Sequence, residues 1–361
     1  MKPPVILGAA GTIGRAIAWD WVQSTARHKV ILVDRDLAAL AFTARRLGPR
    51  CIPMAADLRD APKLAGILRL GGMVINSTSH HFNLPVMEAA LAAGCHYLDL
   101  GGLFHFTRRQ MKLHRRFSGA GLTAVIGMGC APGLTNLMAR ELTTDWDRVR
   151  HIDIRVAGVD HNPSPEPGAF PYAFRTLLEE LTLKPAVFEK GKWNFVPPRT
   201  GNEHHTFPPP VGTQELFYTL HSEIATLPLY FRDRGIRRVT FRIGLDPALC
   251  EQVLAAKTPP PFMIRNQQPL DEEMALVEAS GTRSGKRIHA TMVCLARSRG
   301  DWSAGDLDTA CPASAVASLI LNQTIQAPGV HPPEDTVPWN PLQRALKKRG
   351  FVFGKTEEAG T

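Results

Sequence analysis

The sequence is poor in cysteine and lacks the motifs that cysteine builds. Its 361 residues include six cysteines, and no two of them form a Cys-x-x-Cys pair. This spacing argues against a zinc site and against a disulfide framework, and it is typical of a protein of the reducing cytoplasm. We therefore expect no bound metal and a cytoplasmic location.

Long apolar stretches are also missing. No run approaches the ~20 apolar residues that span a bilayer, and the first strand begins too early to leave room for a signal peptide. The hydrophobic content of 44% and the charged content of 21% are those of an ordinary folded protein. We expect no membrane partner.

The net charge of +9 is not concentrated in one segment. The densest basic runs lie at 232–238 and 344–349, and neither is interleaved with aromatic residues as in nucleic-acid-binding segments. We interpret both runs as solvated surface and expect no nucleic-acid partner.

The first fourteen residues contain the clearest functional signal. A buried strand over 5–7 runs into a glycine-rich turn, and a helix, a second strand and Asp34 follow in that order. The spacing is Gly-x-x-Gly-x-x-Gly rather than Gly-x-Gly-x-x-Gly, so the motif depends on this context. There, glycines allow a tight turn and the close approach of a pyrophosphate. We predict a dinucleotide site that includes Gly8, Ala10, Gly11, Thr12, Ile13 and Gly14.

The residues after the second strand bear on the choice of cofactor. Asp34 can accept hydrogen bonds from the ribose hydroxyls and repels a 2′-phosphate, which favours NAD. Arg35 can stack on adenine or hold a phosphate, so NADP stays possible.

Further strands are predicted over 51–56, 73–76, 96–100 and 123–128, with helices between them. Ligands of doubly wound sheets bind beyond the carboxyl ends of the strands. Asp57 and Leu58 are therefore candidate adenine neighbours, although a helix N-cap is an alternative role for an acid there. The later strand ends add further candidate cofactor contacts, Ser77, Thr78, Asp99, Gly101 and Gly102.

The predicted fold class is α/β, with an N-terminal Rossmann domain, a doubly wound parallel sheet, over 1–145. Period-two alternation over 151–158 and a hairpin over 275–298 predict a second domain over 146–305, an open, mostly antiparallel sheet. Residues 306–361 form a C-terminal segment, and 357–361 are expected to be frayed.

Several stretches together resemble the saccharopine dehydrogenase-like family, and lysine 6-dehydrogenases most of all. They are the glycine-rich turn, 97–102, Cys130-Ala131-Pro132-Gly133-Leu134-Thr135-Asn136, 330–335 and 346–350. The resemblance implies that the second domain is an inserted α/β substrate and oligomerisation domain, and that the C-terminal segment returns to the Rossmann domain. It also implies NAD- or NADP-dependent oxidoreductase chemistry at a C–N bond of an amino acid, and a homo-oligomer, a dimer or a tetramer.

Three functions remain open. Ala131 stands where saccharopine reductases tend to have Asp, which favours a small amino-acid substrate and the oxidative deamination of the lysine side-chain amine. The alternatives are reductive condensation of an aldehyde with an amino acid, as in saccharopine reductases, and a dinucleotide-binding protein without turnover.

Oxidation of an amine needs a proton acceptor and an anchor for the substrate. His221, Glu223 and His80 are the candidate catalytic groups, and each histidine has a purely structural role as its alternative. The candidate substrate-binding residues are Arg175, as a carboxylate anchor, with Tyr172, Thr226 and Asn136.

Overall fold

The computed structural model describes residues 2–25, 28–162, 174–256 and 267–359. Within these ranges the chain forms the following strands: β1 Pro4–Leu7, β2 Val30–Asp34, β3 Cys51–Ala55, β4 Met73–Asn76, β5 His96–Asp99, β6 Thr123–Val125, β7 Arg148–Asp160, β8 Ala186–Glu189, β9 Lys192–Phe195, β10 Glu203–Thr206, β11 Thr213–Tyr218, β12 Arg238–Ile243, β13 Asp271–Arg283, β14 Lys286–Arg297, β15 Gly329–His331 and β16 Val352–Ala359.

The helices of the same ranges are α1 Thr12–Ser24, α2 Leu37–Leu47, α3 Ala61–Leu68, α4 Asn83–Ala93, α5 Leu103–Gln110, α6 His114–Gly119, α7 Leu134–Leu142, α8 Phe174–Thr182, α9 Glu223–Tyr230, α10 Pro247–Ala255, α11 Ala304–Leu321, α12 Pro333–Thr336 and α13 Trp339–Lys347. Short 3₁₀ turns lie at His80–Phe82, Met111–Leu113 and Arg232–Arg234. None of the helices in these ranges combines the length and the apolar character that crossing a bilayer demands.

The chain divides into two compact units. Unit 1 comprises Met1–Gly129 and Thr309–Leu346, and unit 2 comprises Cys130–Asp308 and Lys347–Thr361. The sequence places the boundaries elsewhere, at 145/146 and 305/306. They differ because α7 packs on β13 and β14, within unit 2, and because the last strand pairs with the sheet of unit 2.

Unit 1 is a doubly wound parallel sheet in the order β15-β6-β5-β4-β1-β2-β3. Except for the edge strand β3, which is only partly buried, its strands are apolar and largely buried, as parallel strands between helix layers must be. The Asp36 and Asp60 side chains accept backbone N–H bonds at the starts of α2 and α3, and Gly94 in the left-handed region ends α4. The predicted Rossmann architecture is confirmed, with the remote segment β15 added as a seventh strand beside β6.

Unit 2 is built on a sheet in the order β10-β11-β12-β7-β13-β14-β16, with β8 and β9 attached to β12. Neighbouring strands are antiparallel except for β12 and β7, which run parallel. Alternation along β7 buries Ile152, Ile154 and Val156 on one face and places Asp153 and Arg155 on the other. The prediction of a mostly antiparallel second sheet is confirmed.

The predicted frayed end is wrong as far as Ala359, because 352–359 form β16 and pair with β14 over eight residues. The sequence predicts one long helix over 104–119, and the structure divides it into α5, a 3₁₀ turn and α6. The proline-rich stretch 162–168, which the sequence predicts to be a solvent loop or a substrate lid, lies outside the described residues except for Asn162. Tyr172 lies wholly outside them.

Candidate active site

The glycine turn of unit 1 is closed by backbone hydrogen bonds. Gly8 has φ +77°, a left-handed conformation that favours glycine. The Gly8 N–H donates to Val33 O over 3.0 Å and the Gly11 N–H donates to Gly8 O over 3.0 Å. A Cβ on Gly14 would lie 2.2 Å from Gly8 O, so the turn can pack on α1 only if residue 14 is glycine.

The first turn of α1 is suited to an anion. The helix begins at Thr12 after Gly11, whose backbone is extended. The first N–H groups of a helix have no partner within it, and they carry the positive end of the helix dipole. Ala10, Gly11, Thr12 and Ile13 are partly or fully exposed there. The residues present therefore fit a pyrophosphate.

Asp34 ends β2 beside this turn. One carboxylate oxygen accepts the Ala10 N–H over 3.1 Å, and the other accepts the N–H groups of Arg35 and Asp36 over 2.7 and 3.2 Å. The carboxylate is thus tied to the turn, and its remaining lone pairs are available to ribose hydroxyls. Arg35 lies next to it on the exposed surface.

The third strand end carries an ion pair that sequence reasoning missed. The Arg59 guanidinium donates to both carboxylate oxygens of Asp57, with an Nη2–Oδ2 distance of 2.5 Å. Hydrogen bonding to Arg59 lowers the pKa of Asp57 to about 2. Asp60, rather than Asp57, caps α3. Asp57 and its neighbour Leu58 therefore stay available as adenine neighbours, with Arg59 added.

The loop after β4 lies against the glycine turn. Ser77 Oγ donates to Leu7 O over 2.6 Å, and Thr78 Oγ1 donates to Asn76 Oδ1 over 2.6 Å. A Cβ on Gly8 would lie 2.9 Å from the Thr78 methyl carbon. His80 follows on the 3₁₀ turn, buried, with its ring centroid 4.9 Å from that of Phe106.

Asp99 ends β5 and is fully buried. Its carboxylate accepts the backbone N–H groups of Gly101 and Gly127 over 3.0 and 2.7 Å. Two hydrogen bonds of this side chain therefore hold the backbone of the loops. A Cβ on Gly102 would lie 2.5 Å from Gln110 Oε1, which accounts for glycine at that position.

In unit 2 the fold brings together candidates that are distant in sequence. His221 Nδ1 lies 3.1 Å from Glu223 Oε2, and His221 Nε2 lies 3.6 Å from Glu180 Oε1. Glu223 Oε1 accepts the Thr135 hydroxyl over 3.1 Å. Glu180 and Thr135 were missed from the sequence, because an acid on α8 and a threonine on α7 carry no local signal.

Charge balance favours the protonated imidazole at this position. Burial opposes the charged form of His221, but the carboxylates of Glu223 and Glu180 outweigh it and raise the pKa of His221. The imidazole also stacks on Phe241, which fixes the plane of the ring. The cluster can therefore hold its proton to higher pH than an exposed imidazole does.

Asn136 and Thr226 join the same pair of helices, α7 and α9. Asn136 Nδ2 donates to Thr226 Oγ1 over 3.2 Å, and Asn136 Oδ1 accepts the Gly133 N–H over 3.0 Å. Gly133 has φ +127°. Thus His221, Glu223, Thr226 and Asn136 converge through the starts of two helices.

The ion pair of Arg175 is with Glu179, outside that cluster. Arg175 lies on α8 with 65% of its side chain exposed and pairs with Glu179 one turn along, over 3.1 Å. As a carboxylate anchor it therefore stays a prediction, without support from burial.

Unit 2 also contains a buried group of one thiol and two carboxyls. The Cys130 Sγ and one carboxylate oxygen each of Glu273 and Asp308 lie within 4.8 Å of one another. The carboxyl of Glu273 is enclosed by protein, and this burial raises its pKa to about 7, opposed by a hydrogen bond with Asp308. The two carboxyls can share one proton.

A parallel doubly wound sheet with a glycine turn after its first strand and an acid after its second defines a dinucleotide-binding domain. The family model "Saccharopine dehydrogenase NADP binding domain" matches residues 5–125, within unit 1. The resemblance predicted from sequence is confirmed, and this is an NAD(P)-binding domain.

Two curated relatives are similar over part of the chain. Carboxyaminopropylagmatine dehydrogenase of Synechocystis is 26% identical over 63% of this chain and 58% of its own length. Carboxynorspermidine synthase of Vibrio alginolyticus is 22% identical over 53% of this chain and 48% of its own length. The matched region therefore spans about half of each relative.

Two solved structures share the fold over almost the whole chain. The apo saccharopine dehydrogenase (L-Glu forming) of Saccharomyces cerevisiae has a TM-score of 0.75 at 15% identity, covering 99% of this chain and 100% of that chain. The homospermidine synthase of Legionella pneumophila, in complex with NAD, has a TM-score of 0.73 at 14% identity, covering 99% and 91%. At these identities the likeness shows the fold.

Proposed function

We propose that the protein is an NAD(P)-dependent oxidoreductase that acts on the C–N bond of an amino compound. The observation that carries the proposal is the buried His221 imidazole between Glu223 and Glu180, in a chain whose other unit is an NAD(P)-binding domain. Reactions at a C–N bond need a group that moves a proton near neutral pH, and this cluster is built for it.

The cofactor would be held by the glycine turn, the start of α1 and Asp34, and it supplies or accepts a hydride when bound. Asp34 favours NAD. The exposed guanidinium of Arg35, with Arg59 one strand end away, keeps NADP possible because either can face a 2′-phosphate.

Reductive condensation is the direction that the names of the relatives favour. An amine adds to an aldehyde to give a carbinolamine, and loss of its hydroxyl as water requires a proton. His221 as imidazolium would donate that proton. The resulting C=N bond then takes up a hydride, so that aldehyde, amine, reduced cofactor and a proton yield a secondary amine, water and oxidised cofactor.

Oxidative deamination of the lysine side-chain amine is the second candidate, and Ala131 favours it within the family. Here neutral His221 would accept the proton from the amine. Thr226 and Asn136 are proposed to bind polar groups of the substrate, with Glu223 positioning the imidazole. His80 is the alternative proton carrier on unit 1, and Arg175 and Tyr172 remain candidate substrate contacts.

One assay separates these functions. Oxidation of NADH or NADPH by the full chain is followed with lysine, agmatine and a diamine, each with and without a carboxyl-bearing aldehyde. Turnover that requires both amine and aldehyde supports condensation, whereas lysine-dependent NADH formation at alkaline pH supports deamination. Tight NADH binding with neither signal would contradict both and support a binding protein without turnover. The predicted dimer or tetramer and the cytoplasmic location are also left as predictions.

A further inference from the structure

A network of buried polar side chains joins three strand ends of unit 1. Asp99 Oδ1 accepts the N–H groups of Gly101 and Gly127, while Oδ2 accepts the Tyr97 hydroxyl over 2.7 Å and the Gln110 side-chain amide. The backbone carbonyl of Asp99 also accepts the Met128 N–H over 2.8 Å. One side chain thus holds the loops after β5 and β6 together.

The network continues to the loop after β4. Asn83 Nδ2 donates to Gly101 O over 3.0 Å and Asn83 Oδ1 accepts from Asn76 Nδ2 over 2.9 Å. Asn76 Oδ1 in turn accepts the Thr78 hydroxyl over 2.6 Å. Asp99, Asn83, Asn76 and Gln110 are each no more than 1% exposed. These groups therefore act on the site through the backbone that they hold.

We propose that Asp99, with Asn83 and Gln110, is a positioning group that sets the spacing of the loops after β4, β5 and β6, where the nicotinamide half of the cofactor binds. The glycine turn and Asp34 serve the pyrophosphate and the adenosine half, so the two halves of the dinucleotide depend on separate parts of unit 1. Asp99 itself does not touch the cofactor. The inference rests on nucleotide binding by unit 1.

The ionised carboxylate is required by the number of donors. Two N–H groups, a hydroxyl and an amide converge on two oxygens, which leaves no acceptor for a further donor. Burial raises the pKa of Asp99, and the four hydrogen bonds act against that rise. Replacement by Asn leaves one acceptor oxygen for four donors. Its NH₂ group would oppose either the two glycine N–H groups or the Tyr97 hydroxyl and the Gln110 amide, so the network must rearrange.

The test compares the affinity for NADH with that for ADP-ribose, which lacks the nicotinamide. In Asp99→Asn the dissociation constant for NADH should rise about tenfold, equivalent to about 1.4 kcal/mol, while that for ADP-ribose should stay within about twofold. Tyr97→Phe is the matched control, since it removes one donor from Oδ2 and keeps both glycine contacts. It should lower Tm and leave both dissociation constants unchanged.

An equal rise in the dissociation constants for NADH and ADP-ribose in Asp99→Asn would show that the network only stabilises the domain. A weaker affinity for NADH in Tyr97→Phe would show the same. If Asp99→Asn does not fold, Asn83→Ala decides the matter, because it releases Gly101 O without opposing two donors. An unchanged ratio of the two dissociation constants in that variant overturns the proposal. Failure of the wild-type chain to bind either ligand would instead refute the nucleotide site.

Discussion

The imidazole of His221 lies flat on the ring of Phe241, with centroids 3.7 Å apart and planes inclined by 16°. The stack restricts rotation of the imidazole, so that Nδ1 faces Glu223 and Nε2 faces Glu180. A histidine held in this way has a fixed ring plane, with one carboxylate at each ring nitrogen.

Replacing His221 should remove turnover while cofactor binding persists. We expect His221→Gln to lower kcat by about 10²- to 10⁴-fold, the usual contribution of general acid–base catalysis, with NADH affinity unchanged. Phe241→Leu is the control that disturbs the orientation and keeps the proton carrier, so its loss of kcat should be smaller. An active His221→Gln enzyme would make His80 the better candidate for the proton carrier.

The pH dependence should report the carboxylate next to the imidazole. Glu223 raises the pKa of His221 above 6.5, so the wild-type oxidation rate should rise with pH through a midpoint above that value. Glu223→Gln removes the larger attraction and leaves only that of Glu180 to oppose burial, so the pKa of His221 should fall. Its midpoint should therefore move to lower pH in rate profiles and in NMR titration of the ring. A midpoint that stays in place would mean that the rate follows another group.

Asp34→Ser should weaken the binding of NAD, whereas the same change of charge at Asp36 should not. The carboxylate offers charged acceptors to the ribose, and a hydrogen bond to a charged group is worth about 1.5–3 kcal/mol, so the KM for NAD should rise about tenfold or more. Asp36→Ser makes the same change of charge two residues away and preserves a good helix cap. It should leave the KM for NAD unchanged, and an equal rise in both variants would indicate a general effect of charge.

The glycine turn predicts opposite outcomes for two Gly→Ala changes. Gly14→Ala should abolish NADH binding or folding, since its Cβ meets Gly8 O at 2.2 Å. Gly66 lies on the exposed face of α3, and a Cβ added there would have nothing within 4 Å. Gly66→Ala should therefore stabilise the protein by about 0.5–1 kcal/mol. Thermal unfolding and NADH titration of both variants test this, and normal binding by Gly14→Ala would contradict the described turn.

The carboxyl of Glu273 should make the fold less stable at alkaline pH. Its pKa is 4.5 when exposed and about 7 in the fold, so its contribution to stability is full below 4.5 and lost as pH rises through 7. Glu273→Gln keeps a hydrogen-bond donor for Asp308 and should flatten the fall in unfolding free energy between about pH 4.5 and pH 7.

Glu272→Gln, at the next position, should act with the opposite sign. Burial opposes ionisation of Glu272, but hydrogen bonds from His161 and Arg297 prevail and lower its pKa. Its ionised form therefore stabilises the fold above its unfolded pKa, and the variant should lose stability at neutral and alkaline pH. The same slope with pH in both variants would disprove the assignment to Glu273.

The sequence by itself determined the features that depend on neighbouring residues. The Gly8–Gly14 turn, Asp34 after β2 and the βα alternation follow from conformational preferences and hydrophobic periodicity, which act over a few residues. The family resemblance likewise rests on short stretches. These features were enough to predict the parallel sheet and a dinucleotide-binding domain.

Tertiary structure alone decided which polar groups meet. Thr135 and Glu223 are 88 positions apart, and Glu180 reaches His221 from another helix, so no local pattern records the cluster. The same holds for Arg59 on Asp57 and for Gln110 on Asp99, and for the tail that becomes an edge strand on β14. Packing of helices and strands brings such groups together, and a buried polar group must find its partner wherever the fold supplies one.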